Sequence, residues 1–367
     1  MWKLWILCRP VCTNDRLNQG TERRKLRASL NCSRLPYRMA FISGDVLTSS
    51  TISKSNIHTA FLFPGQGSQT IGMGKDLYEN SPAAKKLFDE VDAKLGEPLT
   101  QYMFEGPEEE LNRTWNCQPA IMIMSLACLA STQEASENSI PEPNLIAGHS
   151  LGEYTALVVS GVMALSDAIS LVRERGRLME EACKLLPGNM AAILGLDQVE
   201  IEKICNKTGV QMANINSPTQ IVISGEEKKI DHAISLAKEH GARKVILLPV
   251  SGAFHSYLMG SALSGMIKAL GSVEFQNPSV PVIGNCTALP LNADREVKEE
   301  LTEQLCGCVQ WHECISYMLS NNINNFIEFG PGKVLTGLVR QISKEPSIMT
   351  VNDFSSAQSV SKKLSTN

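Results

Sequence analysis

The chain has 367 residues, of which 43% are hydrophobic and 20% charged, and a formal net charge of −4. Such a balance excludes a chain that stays disordered for want of apolar residues. With no basic block interleaved with aromatics, nucleic acid is not an expected partner. No run approaches the roughly 20 consecutive apolar residues needed to span a bilayer, so the sequence excludes an integral membrane protein as well. The length exceeds one average domain and implies a large core with a smaller inserted or appended unit.

Residues 1–57 stand apart from the rest. Between Met1 and Arg38 there are nine Lys/Arg against only Asp15 and Glu22, an Arg-rich, acid-poor composition typical of an organellar transit peptide. The alternative is an over-extended reading frame with the true start at Met39, before a Ser/Thr-rich stretch. Either way the segment is expected to be disordered. The compartment is then cytoplasmic, or the mitochondrial matrix or another organelle if the leader is a transit peptide. The eleven cysteines are scattered, with no Cys-x-x-Cys pair and no histidine at ligand spacing. Free thiols in a reducing compartment are expected, and no metal site.

From His58 onward strands and helices alternate. His58 to Phe63 reads as a short apolar strand ending in the turn Pro64-Gly65-Gln66-Gly67-Ser68-Gln69. Apolar spacing predicts helices over Ser81 to Leu95 and Gln118 to Ser131. Leu145 to Gly148 is a brief buried strand that runs into Gly148-His149-Ser150-Leu151-Gly152, after which Leu151 to Ser160 continues as a helix. The stretch 189–248 has its own rhythm: strand Met190 to Leu196, helix Gln198 to Lys207, strands Val210 to Ile215 and Gln220 to Ser224, helix Glu227 to His240, strand Arg243 to Leu248. This β-α-β-β-α-β order predicts an inserted ferredoxin-like subdomain. The chain then returns to the larger α/β unit, with its parallel sheet, through helices near Met259 to Leu270 and Glu299 to Cys306 and strands Val280 to Gly284 and Asn325 to Phe329. The expected layout is a core of residues 58–188 and 249–346, a subdomain of residues 189–248, and a polar, frayed tail of residues 347–367.

The Gly-x-Ser-x-Gly turn between a strand and a helix is the layout of a nucleophile elbow. The serine stands on a sharp bend where a bulky neighbour would clash, and glycines at 148 and 152 remove the clash. At the start of a helix, the backbone N–H of Leu151 points toward any oxyanion that develops above Ser150. Serine needs a base. Of the six histidines, His58 precedes the first strand, His232 and His240 fall on a subdomain helix, and His312 opens a helix. His149 adjoins Ser150 but points elsewhere and reads as a packed elbow residue. His255, where the chain rejoins the large unit, is the best candidate base; the alternative is a hydrogen-bonded structural histidine. The turn after Phe63 lacks the Gly-Lys-Ser/Thr ending of a P-loop and the glycine spacing of a dinucleotide site. It either supplies a second oxyanion N–H, from Gln66, or is a plain tight turn. Arg175 is one of three arginines in five residues, and spacing alone predicts a solvated face.

Taken together, Phe63 to Gln69, Gln118-Pro119-Ala120, Gly148 to Tyr154, Arg175-Gly176, Asn214 to Pro218, Ala253-Phe254-His255 and Glu328 to Gly332 resemble the malonyl-CoA:acyl-carrier-protein transacylase family, in order over residues 58–345. The resemblance implies a hydrolase-like α/β core with a ferredoxin-like insert. Ser150 would be the nucleophile and His255 the general base, with an oxyanion hole from the N–H groups of Gln66 and Leu151. Arg175, against the reading from spacing, would pair with the free carboxylate of the malonyl group, and the backbone carbonyl of Gln304 would orient His255. Asn216 matches a motif position near the site, with no role assigned. Ala253-Phe254 resembles the form that selects malonyl over methylmalonyl. The implied partners are malonyl-CoA and holo-acyl carrier protein, with no metal or bound cofactor, and the protein is expected to be a monomer. The implied reaction passes the malonyl group through a Ser150 ester to the phosphopantetheine thiol, for fatty acid synthesis or for a polyketide carrier protein. Two rivals remain at this point: a serine esterase or thioesterase, and a non-catalytic scaffold.

Overall fold

A strand that is apolar at every position must be buried on both faces, which is the position of a parallel strand covered by helices on each side. β1 (Thr59–Phe63) is buried throughout and meets β2 (Leu145–Gly148) on one edge and β9 (Asn325–Phe329) on the other, both in parallel. The computed structural model describes residues 57–137, 140–250 and 252–365, so the expectations for residues 1–56 lie outside it. The remaining strands in chain order are β3 (Asn189–Leu194), β4 (Gln211–Ser217), β5 (Gln220–Gly225), β6 (Lys244–Leu247), β7 (Val282–Ile283), β8 (Pro290–Leu291) and β10 (Ser347–Val351).

Six of these strands form one sheet in the order β10-β9-β1-β2-β7-β8, parallel except for the antiparallel β8 at its edge. The period of two along each strand splits the interior into two cores. Phe61 and Phe63 join Ile146, Ile327 and Phe329 on one face, while Ala60 and Leu62 join Ala147, Ile283, Phe326 and Trp311 on the other. The first core is built around the helix Thr114–Ala135, which is apolar on all sides and buried along nearly its whole length. The chain is thus a mixed α/β fold with a largely parallel sheet.

The second sheet, β4-β5-β3-β6, is wholly antiparallel. Helices Gln198–Thr208 and Glu227–Glu239 interleave with its strands and share a third core of Ala191, Ile193, Ile215, Ile221 and Ile223 with Ile201, Ile204, Ile230 and Ala233. Backbone bonds from Ile215 N to Val309 O (2.9 Å) and from Val309 N to Ala213 O (2.8 Å) tie this unit to the large one.

The tail expectation is corrected. Residues 347–351 are β10, in register with β9, and Phe354–Ser365 is a helix. Its Phe354, Ala357, Val360 and Leu364 pack on the first core. The segment is polar in composition, but its few apolar residues fall three or four apart on one helical face, and that spacing governs packing. Two boundaries also move. The expected helix over Met259 to Leu270 begins as a 3-10 turn at Tyr257 and becomes α-helical only at Leu263, and the one near Glu299 to Cys306 spans Asp294–Gln304. No helix among the described residues is long and apolar enough to cross a membrane.

Candidate active site

The turn after β2 packs so closely that its two glycines are obligatory. A Cβ on Gly148 would lie 1.8 Å from the carbonyl carbon of Gly152, and one on Gly152 would lie 2.0 Å from the carbonyl oxygen of Phe63. Ser150 between them has φ 52° and ψ −104°, a sparsely populated conformation costing of order 1–3 kcal/mol that must be held by its surroundings. Asn285, fully buried just beyond β7, does so. Its Oδ1 accepts from Ser150 N at 2.6 Å and its Nδ2 donates to Gly148 O at 2.7 Å. Since Asn285 occupies the N–H of Ser150, the N–H left at the elbow is that of Leu151, which opens the helix Leu151–Val159 and has no intrahelical acceptor. The turn carrying Gln66 presses on the same spot, for a Cβ on Gly65 would lie 2.4 Å from His149 O.

His255 Nε2 lies 2.8 Å from Ser150 Oγ. Its Nδ1 lies 2.9 Å from Gln304 O and 3.2 Å from Gly307 O. Carbonyls only accept, so Nδ1 carries the proton and Nε2 offers its lone pair to the serine hydroxyl. Burial, with the nearby Arg175 charge second, pulls the His255 pKa down from 6.5 to about 3, so the ring is neutral and able to accept a proton at physiological pH. Among the described residues no carboxylate orients it; two main-chain carbonyls do. His149, by contrast, turns away from the reaction centre. Its Nε2 meets Asn216 Oδ1 at 2.9 Å, its ring packs on Trp311, and burial lowers its pKa. Asn216 is thereby placed as the partner of the elbow histidine.

Arg175 faces inward from the helix Leu165–Leu185 and is only 1% exposed. Gly176 beside it lets that helix approach closely, since a Cβ there would meet Thr114 O at 2.6 Å. Nη2 lies 3.2 Å from Ser150 Oγ and 2.9 Å from Gln304 Oε1, Nη1 lies 2.8 Å from Gln118 Oε1, and the Tyr154 ring sits under the guanidinium at 5.2 Å. Burial pushes its pKa down from 12.5. Gln304 also reaches Ser150 O through Nε2 at 2.9 Å and touches the buried Glu153. Burial, and then the charge of Glu300, raise the Glu153 carboxyl well above its usual range.

The structure therefore brings Ser150, His255, Arg175 and Gln304 into one hydrogen-bonded cluster, with Leu151 on the elbow and the Gln66 turn against it. Sequence reasoning missed Asn285, the side chains of Gln118 and Gln304, and Glu153. Gln118 and Glu153 lay within quoted motifs, which was a usable signal. Asn285 is 135 positions from its partner Ser150, and only the fold joins them. A hydroxyl with a neutral imidazole at its Oγ, a free helix-start N–H and a buried guanidinium can attack an acyl group and hold a negatively charged one.

The family described as the acyl transferase domain matches residues 60–364. The malonyl CoA-acyl carrier protein transacylase of Bacillus subtilis (strain 168) is 46% identical over 299 residues, covering 80% of this chain and 93% of its own. That of Escherichia coli (strain K12) is 39% identical over 298 residues, covering 80% and 96%. The chain belongs to the malonyl CoA-acyl carrier protein transacylase family. Among solved structures, the acyl-carrier-protein-S-malonyltransferase of Bartonella henselae superposes with a TM-score of 0.79 at 40% identity, covering 84% of this chain and all of its own. A malonyl-transacylase solved with its type II polyketide acyl-carrier protein superposes with a TM-score of 0.79 at 37% identity, covering 83% of this chain and 99% of its own.

Proposed function

We propose that this chain is an acyl-carrier-protein S-malonyltransferase. The carrying observation is that one hydroxyl, Ser150 Oγ, lies 2.8 Å from the base nitrogen of His255 and 3.2 Å from a buried guanidinium. In the proposed first half-reaction, Ser150 Oγ attacks the thioester carbon of malonyl-CoA as His255 Nε2 takes its proton. The N–H groups of Leu151 and Gln66 hold the oxyanion. The C–S bond breaks, and the thiolate leaves as coenzyme A with the proton from His255. In the second half, the phosphopantetheine thiol of holo-acyl carrier protein gives its proton to His255 and attacks the ester; the C–O bond breaks, and Ser150 Oγ leaves with the proton returned by His255. Arg175 holds the malonyl carboxylate, a two-oxygen acceptor suited to a planar guanidinium. The carbonyl of Gln304 keeps the His255 tautomer through both halves. No step calls for a metal or a bound cofactor.

The test is a panel of malonyl, methylmalonyl and acetyl thioesters against holo-carrier protein and against water alone. Preferred transfer of malonyl to the carrier supports the reading. Release of free malonate with no transfer under saturating acceptor would make the chain a thioesterase. Fatty acid synthesis is the proposed pathway. The likeness to a transacylase solved with a polyketide carrier protein favours one second reading, a polyketide role, which competition between the two kinds of carrier would reveal.

Three further readings belong to the proposal. The β-α-β-β-α-β order and the strand order β4-β5-β3-β6 support a ferredoxin-like subdomain over residues 189–248, inserted in a core of residues 58–188 and 249–365 that takes in the final strand and helix. The enzyme is proposed to act as a monomer, which light scattering would check. It is proposed to work in the cytoplasm, or in the mitochondrial matrix or another organelle if residues 1–57 direct a fused reporter there.

A further inference from the structure

Arg175 is a buried cation with no carboxylate in hydrogen-bonding contact among the described residues. An arginine taken out of water normally meets an acidic partner, because an unpaired buried charge costs several kcal/mol. Here both terminal nitrogens end on amide oxygens, Nη1 on Gln118 at 2.8 Å and Nη2 on Gln304 at 2.9 Å, with Ser150 Oγ as the third contact. Both glutamines are fully buried. Each is held from its far end, Gln118 Nε2 by Met179 Sδ at 3.3 Å and Gln304 Nε2 by Ser150 O at 2.9 Å and by Glu153. These far-end contacts orient the amides so that their oxygens face the guanidinium. Of the five N–H donors of a guanidinium, three are engaged in this way; the Tyr154 hydroxyl lies beside the group, and Glu153, whose carboxyl burial holds toward its neutral form, is the acidic residue near it.

An amide oxygen and a carboxylate oxygen can hold a guanidinium in the same geometry, but only the carboxylate cancels its charge. The geometry points to Gln118 and Gln304 as specificity-determining positioning residues: they aim Arg175 at the space above Ser150 while leaving its positive charge for the carboxylate of the incoming acyl group. This inference rests on the assignment of Arg175 to that carboxylate. It adds that neutrality at positions 118 and 304, and not hydrogen bonding alone, sustains the preference for a charged acyl group.

Gln118→Glu and Gln304→Glu test it. Each keeps an oxygen acceptor of the same reach and supplies an internal counter-ion. Gln304→Glu retains the main-chain carbonyl that holds His255. The readout is the ratio of kcat/KM for malonyl-CoA to that for acetyl-CoA, a ratio within one protein that partial unfolding does not move. Each variant should lower the ratio roughly ten- to hundredfold, the worth of a charge-assisted hydrogen bond, chiefly through KM for malonyl-CoA. Gln118→Met loosens Arg175 without neutralising it and should lower the ratio several-fold less than Gln118→Glu. An unchanged ratio in the glutamate variants, or an equal fall in Gln118→Met, would overturn the inference. Arg175→Ala separates the two layers. If it leaves the ratio intact, the Arg175 assignment itself fails; if it collapses the ratio while the glutamate variants keep it, only the role of the amides fails.

Discussion

Two arginines two residues apart on the helix Leu165–Leu185 meet opposite environments. On the outer face Arg177, 42% exposed, is bracketed by Glu174, at 2.7 Å, and Glu181, and these carboxylates raise its pKa. On the inner face Arg175 is buried, meets two amides and a hydroxyl, and has its pKa lowered by burial. The outer residue has its charge neutralised where water already screens it, so its pairs are worth about 0–1 kcal/mol. The inner residue keeps its charge where screening is weak. The difference separates an arginine paired with carboxylates at the surface from one whose buried charge is, in the proposed reaction, met by the acyl carboxylate.

The largest effect should come from removing the centre that the inner face serves. Ser150→Ala should abolish acyl-enzyme formation and lower transfer by about a thousandfold or more, measured by carrier-protein acylation. A variant retaining substantial transfer would detach Arg175 from any chemistry at Ser150. Next, Arg175→Ala should reduce kcat/KM for malonyl-CoA by roughly ten- to hundredfold, the value of a charged hydrogen-bonded contact of about 1.5–3 kcal/mol, while sparing acetyl-CoA. Equal losses for both substrates would erase the distinction between the faces.

A pH series sharpens the comparison from the side of the base. The His255 pKa is held at about 3 by burial and then by Arg175, against 6.5 in the unfolded chain. The ring therefore stays neutral as pH falls through 6.5, and kcat/KM should show no acid limb there. Between those two values the unfolded chain binds a proton that the folded chain does not. Stability from this group is thus full above 6.5 and declines below it by up to about 1.4 kcal/mol per pH unit. Denaturant unfolding of wild type and His255→Ala from pH 7 to pH 5 would show a shallower decline in the variant; parallel curves would contradict the assignment. The smallest effect belongs to the outer face. Arg177→Ala should change unfolding free energy by less than about 1 kcal/mol and leave acyl preference unaltered, and a change in preference would count against the division.

Much of this was legible in local patterns. The elbow could be read because strand, glycine, serine, glycine and helix are contiguous, and the alternating elements of 189–248 emerged with boundaries shifted by only a residue or two. Arg175 was misread by spacing until the family resemblance corrected it. Yet at 100° per residue, positions 173 and 177 lie on one side of a helix and 175 on the other, so three arginines at alternate positions cannot share a face. The last segment was misjudged because polar composition was weighed above the spacing of Phe354, Ala357, Val360 and Leu364. What no local pattern could supply was the convergence of Asn285 on Ser150 and of Gln304 on Ser150 and Glu153. Those contacts join positions more than a hundred residues apart, and they exist only once the parallel sheet has closed.

The most direct test of the central claim is a trap and chase. The protein is mixed with malonyl-CoA, its intact mass and peptide map are recorded, and holo-carrier protein is then added. A malonyl ester mapping to Ser150, lost on addition of the carrier as malonyl-carrier forms in equal amount, is the predicted result. An adduct at another residue, or an ester that yields free malonate and no malonyl-carrier, would contradict it.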